Sequence, residues 1–325
     1  MGPSLASSYG EAMRTTLAVL VVASLSACAT SSRTLTPDRG FAEKLGATHP
    51  LVGRIYAPGD RSWKTADALA DAVRGAEVIV LGESHDNRDH HALEAMLVQT
   101  FLDAHPTAAI GFEMLDEDQR AALQTPPRDP EALARAVRWE ESGWPEFSQY
   151  RPVFEAALAA RAPLIAAHPS RDRVRASMSG VPEAEARALQ LDRPLAPAAR
   201  EQLEREIRDA HCGHANGAML TGMARAQSYK DAFMARALLE ARRPTALVTG
   251  RGHARKDRAV PYYLQLFGAR DVVTVALVEV EDAQRDPGGY DLATFDYVVF
   301  TPRTSDADPC QQFEEQLKKM RESRS

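Results

Sequence analysis

The chain has 325 residues, 44% of them apolar and 6% aromatic, with a formal net charge of −6. That is enough apolar material for one large core or two modest ones. An acidic chain this poor in aromatics lacks both the basic footprint and the stacking platform of a nucleic-acid binder, so no nucleic-acid partner is expected.

Residues 1–27 read as a signal peptide. Met13-Arg14 opens a short basic region and is the expected start, and 17–25 is an apolar stretch too short to span a bilayer. Leu25-Ser26-Ala27-Cys28 closes it with the pattern of a bacterial lipobox. This pattern implies cleavage before Cys28, acylation of its sulfur and a lipid membrane as partner. Ala29 lacks the acidic residue associated with inner-membrane retention, so a lipoprotein facing the periplasm from the outer membrane is expected. Residues 28–50 are read as a polar tether, 51–304 as the folded domain and 305–325 as a frayed polar tail.

Within the domain, 66–74 reads as helix and 77–81 as strand, followed by a helix over 88–103 for which Asp86 or Asn87 is a good N-cap. A strand over 108–112 comes next. Helical pieces broken at Thr125-Pro126-Pro127 and Gly143-Trp144-Pro145 lead to a helix over 152–161 and a strand over 163–167. The stretch 181–242 has no strand-like run and is expected to be a helical insert acting as a lid, with a break near 191–196. Strand 245–249, helix 257–266, strand 272–280 and an antiparallel edge strand at 297–300 complete the pattern. Strands alternating with helices predict an α/β fold with a mostly parallel central sheet and helices on both faces. There is no Walker-type loop, and Gly250-Arg251-Gly252 lacks the third glycine of a dinucleotide fingerprint. Cys212 and Cys310 could pair in an oxidising compartment, but nothing in the sequence brings their Cα atoms within the ~7 Å a bridge needs.

Two stretches stand out, VIVLGESHDNRDHH at 78–91 and ALVTGRGHARKD at 246–257. Each is an apolar run ending in Gly, two residues, then His: Gly82 to His85 and Gly250 to His253. Such runs read as buried parallel strands, whose carboxyl ends are where open α/β sheets bind ligands. The four central strand ends carry Glu83 and His85, Glu113, His168, and His253. These types can hold a divalent metal, with His85, Glu113 and His253 as the ligands, or divide acid–base work among Glu83, His85, Glu113 and His253. The bland alternative for each is a helix cap or a loop hydrogen bond.

Of His90-His91, one is expected to face the crevice and the other to be exposed. His211-Cys212-Gly213-His214 has a His-x-x-His spacing, but Gly213 interrupts it and the ligands are too few for zinc. Met219, Met223, Ala226, Phe233 and Ala237 form the core stripe of one helix. Gln227 and Asp231, four apart on the same helix, either orient neighbouring histidines or form a solvated face. Tyr150 and Tyr229 lie close in sequence to elements that should form the cleft.

Together, GESHDNRDHH, GFEM at 111–114, AQSYKDAFMARAL at 226–238 and GRGH at 250–253 resemble the ChaN-like haem-binding lipoproteins. That family belongs to a superfamily with the Tiki-type proteases and erythromycin-esterase-like hydrolases, and the four motifs occur in order. The resemblance implies a membrane-anchored protein of haem or iron uptake, with a pocket comprising Gly82, Glu83, His85, His91, Glu113, Gln227, Asp231 and His253. It also implies haem iron held by a tyrosine. Tyr150, beside Arg151, is chosen over Tyr229, and Arg88, Arg151 and Arg171 are candidates for the haem propionates. Two departures from the family pattern are Lys230-Asp231 in place of Arg-Asp and Ala167-His168-Pro169 in place of an Asn-containing strand end. The hydrolase relatives use the same Glu and His positions. Two functions therefore stay open: haem binding without turnover, or a metal-dependent or Glu/His acid–base hydrolase of a peptide or ester. A homodimer is left open.

Overall fold

A computed structural model describes residues 32–308, 310, 311, 313–315 and 318; the signal peptide and Cys28 lie outside them. The strands are β1 (Ile55–Ala57), β2 (Ser62–Lys64), β3 (Val78–Glu83), β4 (Ala109–Asp116), β5 (Leu164–His168), β6 (Thr245–Gly250), β7 (Val272–Glu279) and β8 (Tyr297–Thr301). The helices are α1 (Ala66–Gly75), α2 (Arg88–Ala104), α3 (Arg120–Leu123), α4 (Pro130–Ala136), α5 (Phe147–Ala159), α6 (Arg171–Ser179), α7 (Glu183–Ala188), α8 (Pro197–Ala210), α9 (Gly217–Glu240) and α10 (Val260–Leu266). Among the described residues no helix is long and apolar enough to cross a membrane.

All eight strands form one sheet in the order β2-β1-β8-β7-β3-β6-β4-β5. The run from β8 to β5 is parallel throughout, and only β1 pairs antiparallel, with β2 and with β8. The sheet is thus mixed. β8 is not the antiparallel edge expected from the sequence: it lies inside the sheet, parallel to β7. The antiparallel margin comes from the short β1–β2 hairpin, which three-residue strands amid Pro and Gly do not announce.

β3 shows why the centre is secure. All six of its residues are buried, and successive side chains enter opposite layers. Ile79 and Leu81 join Leu93, Leu97 and Phe101 of α2 and Phe154 of α5. Val78 and Val80 join Tyr229, Met234 and Leu238 of α9 and Tyr263 of α10. α9 is therefore a structural layer, and the stretch 181–242 is not a lid as a whole. Within that stretch α8 reaches the strand-end side through Glu206, which pairs with Arg258, and α9 reaches it through Asp231, which bonds His253. The break between α7 and α8 falls where the sequence places it.

α5 begins at Phe147, five residues before the expected start, with Pro152 inside it. Proline forfeits one helical hydrogen bond, but Phe147, Tyr150 and Phe154 all lie on the buried face and compensate. The residues read as tether are docked from residue 32 onward. Ala42 and Glu43 donate backbone N–H bonds to the Asp89 carboxylate, at 2.6 and 3.0 Å. At the other end, Cys212 and Cys310 form a disulfide with Cα atoms 5.5 Å apart. The pairing takes Cys212 out of the weak His-x-x-His reading, and His211 and His214 pack on Phe313 instead.

Candidate functional site

The site is assembled at the carboxyl ends of β3, β6 and β4. Beyond Glu83 the chain turns into α2, and Asn87 caps that helix by accepting from Asp89 and His90 N–H. The Asn87 amide also donates to Glu279 and to the Pro302 carbonyl, tying the loop to β7 and β8. His90 Nδ1 accepts the Ser84 N–H at 2.8 Å, so the ring proton sits on Nε2 and is donated to Thr301. Burial drives this imidazole down to about 3, and it stays neutral. Both members of the His90-His91 pair are fully buried. The expectation of one exposed histidine fails because β8 and Tyr150 cover them.

Glu83 is the hub. Its Oε1 accepts from His85 Nδ1 and from the Tyr150 hydroxyl, both at 2.8 Å. Its Oε2 faces His91 Nε2 at 2.7 Å, and the His91 and Tyr150 rings lie 3.9 Å apart between centroids. Burial would raise the Glu83 carboxyl, but the His85 and His91 imidazoles outweigh it and bring it to about 2. An ionised Glu83 holds the His85 proton on Nδ1, so Nε2 is the nitrogen turned to the cleft and carries the lone pair when the ring is neutral.

Across the cleft, Glu113 of β4 accepts from Thr249 Oγ1 at 2.6 Å and from Gly250 N–H at 2.7 Å. The same Oε2 stands 3.9 Å from His85 Nε2, while Glu113 Oε1 is 3.3 Å from His253 Nε2. His253 Nδ1 bonds Asp231 of α9 at 2.6 Å. Burial disfavours charge on His253, but the flanking Glu113 and Asp231 raise it to about 9, so it is an imidazolium at neutral pH. Burial pushes the Glu113 carboxyl up, and His253, His85 and Lys230 more than reverse that, holding it well below the usual carboxylate range. His85 is pulled down by burial and up by Glu83 and Glu113, with a net rise.

Two glycines make this convergence possible. A Cβ at Gly250 would fall 2.7 Å from His85 Nε2, and a Cβ at Gly82 would meet Ala254 at 2.8 Å and the Arg251 backbone at 3.0 Å. The His85 side chain is 32% exposed, against 10% for His253 and 4% for Glu113, so His85 is the most open member of the three. Trp144 packs edge-on against it at 4.8 Å. A cavity of about 760 Å³ opens beside Glu83, His85, Gly250 and His253, with Arg251 and Phe295 in its wall. A second, of about 350 Å³, adjoins Glu113, Trp144, His168 and Arg171.

Of the residues singled out in the sequence, Glu83, His85, His91, Glu113, Asp231 and His253 meet in one network, with Gly82 beneath it. His168 lines the smaller cavity, and burial lowers it to about 4. Gln227 lies one turn before Asp231 with its Oε1 buried and unpaired. Tyr150 is in the network but not in the expected role. Its side chain is fully buried, its hydroxyl donates to Glu83, and burial beside that carboxylate moves the phenol away from ionisation. Arg151 cannot reverse this, because it points outward to Glu131 and Glu155. Tyr229 donates to Glu185 instead, at 2.7 Å. Arg88 is exposed, whereas Arg171 reaches the Ser142 carbonyl. Three participants are not singled out by the sequence: Thr249, Trp144 and Glu94. For Glu94 the spacing His91-x-x-Glu94 was the available signal. Its carboxyl is buried beside Glu83, and both burial and that neighbour hold it well above the usual range.

An α/β protein with a mixed, mostly parallel sheet and a histidine–carboxylate site at its strand ends is the class this geometry defines. Residues 69–264 match the family described as "Haem-binding uptake, Tiki superfamily, ChaN". The chain belongs to that family. Among solved structures it is similar to that described as "Cofacial heme binding to ChaN of Campylobacter jejuni", with a TM-score of 0.63 and 21% identity over 75% of this chain and 95% of that one. More remote likenesses are the type III effector HopBA1 (TM-score 0.40, 12% identity, 78% of this chain and 99% of that one) and an erythromycin esterase mutant in its open conformation (TM-score 0.39, 16% identity, 81% and 86%). No curated protein matches.

Proposed function

We propose that this chain binds haem in the strand-end cleft, with His85 Nε2 directed to the iron. The carrying observation is the Glu83–His85 pair: a buried carboxylate holds the Nδ1 proton, and the opposite nitrogen faces the cleft beside a cavity of about 760 Å³. A histidine held this way is a strengthened ligand, and imidazole is an established axial donor to haem iron. The cavity lies in the usual range for a ligand site. Trp144 packs edge-on against the His85 ring from the side of the smaller cavity. Arg251 lines the cavity and makes no ion pair among the described residues, which suits a propionate, whereas Arg255 and Arg303 are engaged by aspartates.

His85 would hold a haem from one side only, which leaves room for a second copy of the chain to contribute to the site. This supports a homodimer, in keeping with the cofacial haem of the Campylobacter protein. The lipobox supports a lipoprotein anchored through Cys28, at the outer membrane facing the periplasm, in haem or iron uptake. The disulfide supports an oxidising compartment. Titrating hemin into the chain lacking residues 1–28 tests the ligand. A saturable Soret change is expected, weakened at least about tenfold by His85→Ala, equivalent to about 1.4 kcal/mol, and retained in Tyr150→Phe. No saturable change in the parent chain refutes haem binding.

The Glu113–His253–Asp231 relay favours a second reading, hydrolysis of a peptide or ester, with or without a divalent metal at His85, Glu113 and His253. Here His85 Nε2 takes a proton from water while Glu83 holds the ring, and the His253 imidazolium offers a proton to the leaving group. Ester turnover that is lost in Glu83→Gln, without unfolding, would establish it.

A further inference from the structure

Behind Glu83, on the side away from the cleft, α2 brings two more groups to the same carboxylate. His91 and Glu94 are three residues apart and share one helix face; both are fully buried. One ligand-type atom from each of Glu83, His91 and Glu94 lies within 4.8 Å of the others. Both Glu94 oxygens, Glu83 Oε2 and both His91 nitrogens lack a hydrogen-bond partner among the described residues. His91 Nε2 is only 2.7 Å from Glu83 Oε2, yet the two are not aligned as donor and acceptor. Buried polar atoms are nearly always satisfied. Here several crowd together unsatisfied, on three side chains that each bring one ligand-type atom within 4.8 Å of the others.

We infer that Glu83, His91 and Glu94 form a buried divalent-cation site, separate from the His85–Glu113–His253 cluster. Once ionised, the two carboxylates beside the imidazole offer two negative charges, which one divalent ion balances in a place water does not reach. One nitrogen and carboxylate oxygens are the donor set of Mn²⁺, Fe²⁺ or Zn²⁺ rather than of a thiophilic metal. The rival occupant is a proton on Glu94 shared with Glu83, beside the His91 ring on the same carboxylate, and metal uptake separates the two. Glu83 would then bridge two functions, with Oε2 on the ion and Oε1 holding His85 and Tyr150. Occupancy therefore reaches the cleft through one carboxylate.

The full acylated chain, stripped with chelator in detergent, is titrated separately with Mn²⁺ and Zn²⁺, both as the native protein and during refolding from urea. Metal content and thermal unfolding are the readouts. One ion per chain and a higher unfolding temperature are expected with at least one of the two metals. Glu94→Gln, close in shape to a protonated Glu94, should keep the fold and weaken binding at least tenfold. Glu94→Leu serves if that variant does not fold. His85→Ala should still take up the ion. Three results overturn the inference: no stoichiometric uptake by either route, wild-type affinity in both Glu94 variants, or loss of the ion in His85→Ala, which would place it in the cleft.

Discussion

The two Gly-x-x-His strand ends begin alike in sequence and finish differently. After Gly82 the chain enters a loop pinned by the Asn87 cap, and His85 stands with its Nε2 toward the cleft. After Gly250 it folds into a single tight turn, Arg251–Ala254, which carries His253 under the surface between Glu113 and Asp231. One histidine keeps a free nitrogen, and the other has both nitrogens facing carboxylates. The motif delivers an imidazole to the edge of the sheet. The turn or loop on its C-terminal side decides whether that imidazole keeps a nitrogen turned to the cleft or sits between two carboxylates.

The sharpest way to break this contrast is to remove each ring. His253→Ala leaves Glu113 and Asp231 buried without their shared cation, and a loss of about 3–5 kcal/mol in urea unfolding is expected. His85→Ala should cost less than half as much in the same measurement. Equal losses would mean that both histidines are structural.

The two glycines separate the same roles at smaller scale. Gly82→Ala presses on Ala254 and the Arg251 backbone and should destabilise by about 1–3 kcal/mol, as overpacking does. Gly250→Ala presses on the His85 ring, which has room to move, so hemin affinity should fall before stability does. A Gly250→Ala variant with unaltered hemin binding would detach His85 from the iron.

The smallest effect is a slope with pH. His253 is raised from 6.5 to about 9, so its contribution to stability is whole below about 6.5 and is lost as pH rises through 9. Glu113 is depressed below 4.5, so its contribution is present above that value and is lost on acidification. Unfolding temperature should therefore peak between about 5 and 6.5 and decline toward 9, and His253→Gln should flatten the alkaline limb. Hemin binding should run oppositely across neutrality, since a proton on His85 Nε2 competes with iron and the His85 pKa is raised.

Much of this could be read in the sequence because it is local. Apolar runs closed by Gly mark β3 and β6, Asp86 or Asn87 marks the start of α2, and the strand-end positions of Glu83, His85, Glu113 and His253 come from the strands themselves. Asp231 was legible by its place on a periodic helix. These features depend on neighbours within a few residues, where backbone geometry and helical or strand period govern side-chain direction.

Tertiary structure decided the rest, and each case turns on a long-range contact that local period does not encode. β8 is internal because β1, more than two hundred residues earlier in the chain, pairs with its outer edge. Tyr150 faces Glu83 rather than solvent because α5 starts early and lays its aromatic face on the sheet. Cys212 and Cys310 meet across 98 residues. Glu94 becomes chemically interesting only because α2 and β3 enclose it with Glu83 and His91. The sequence by itself determined which reactive groups reach the strand ends; burial and the partners supplied by distant elements determined which of them stay free to bind.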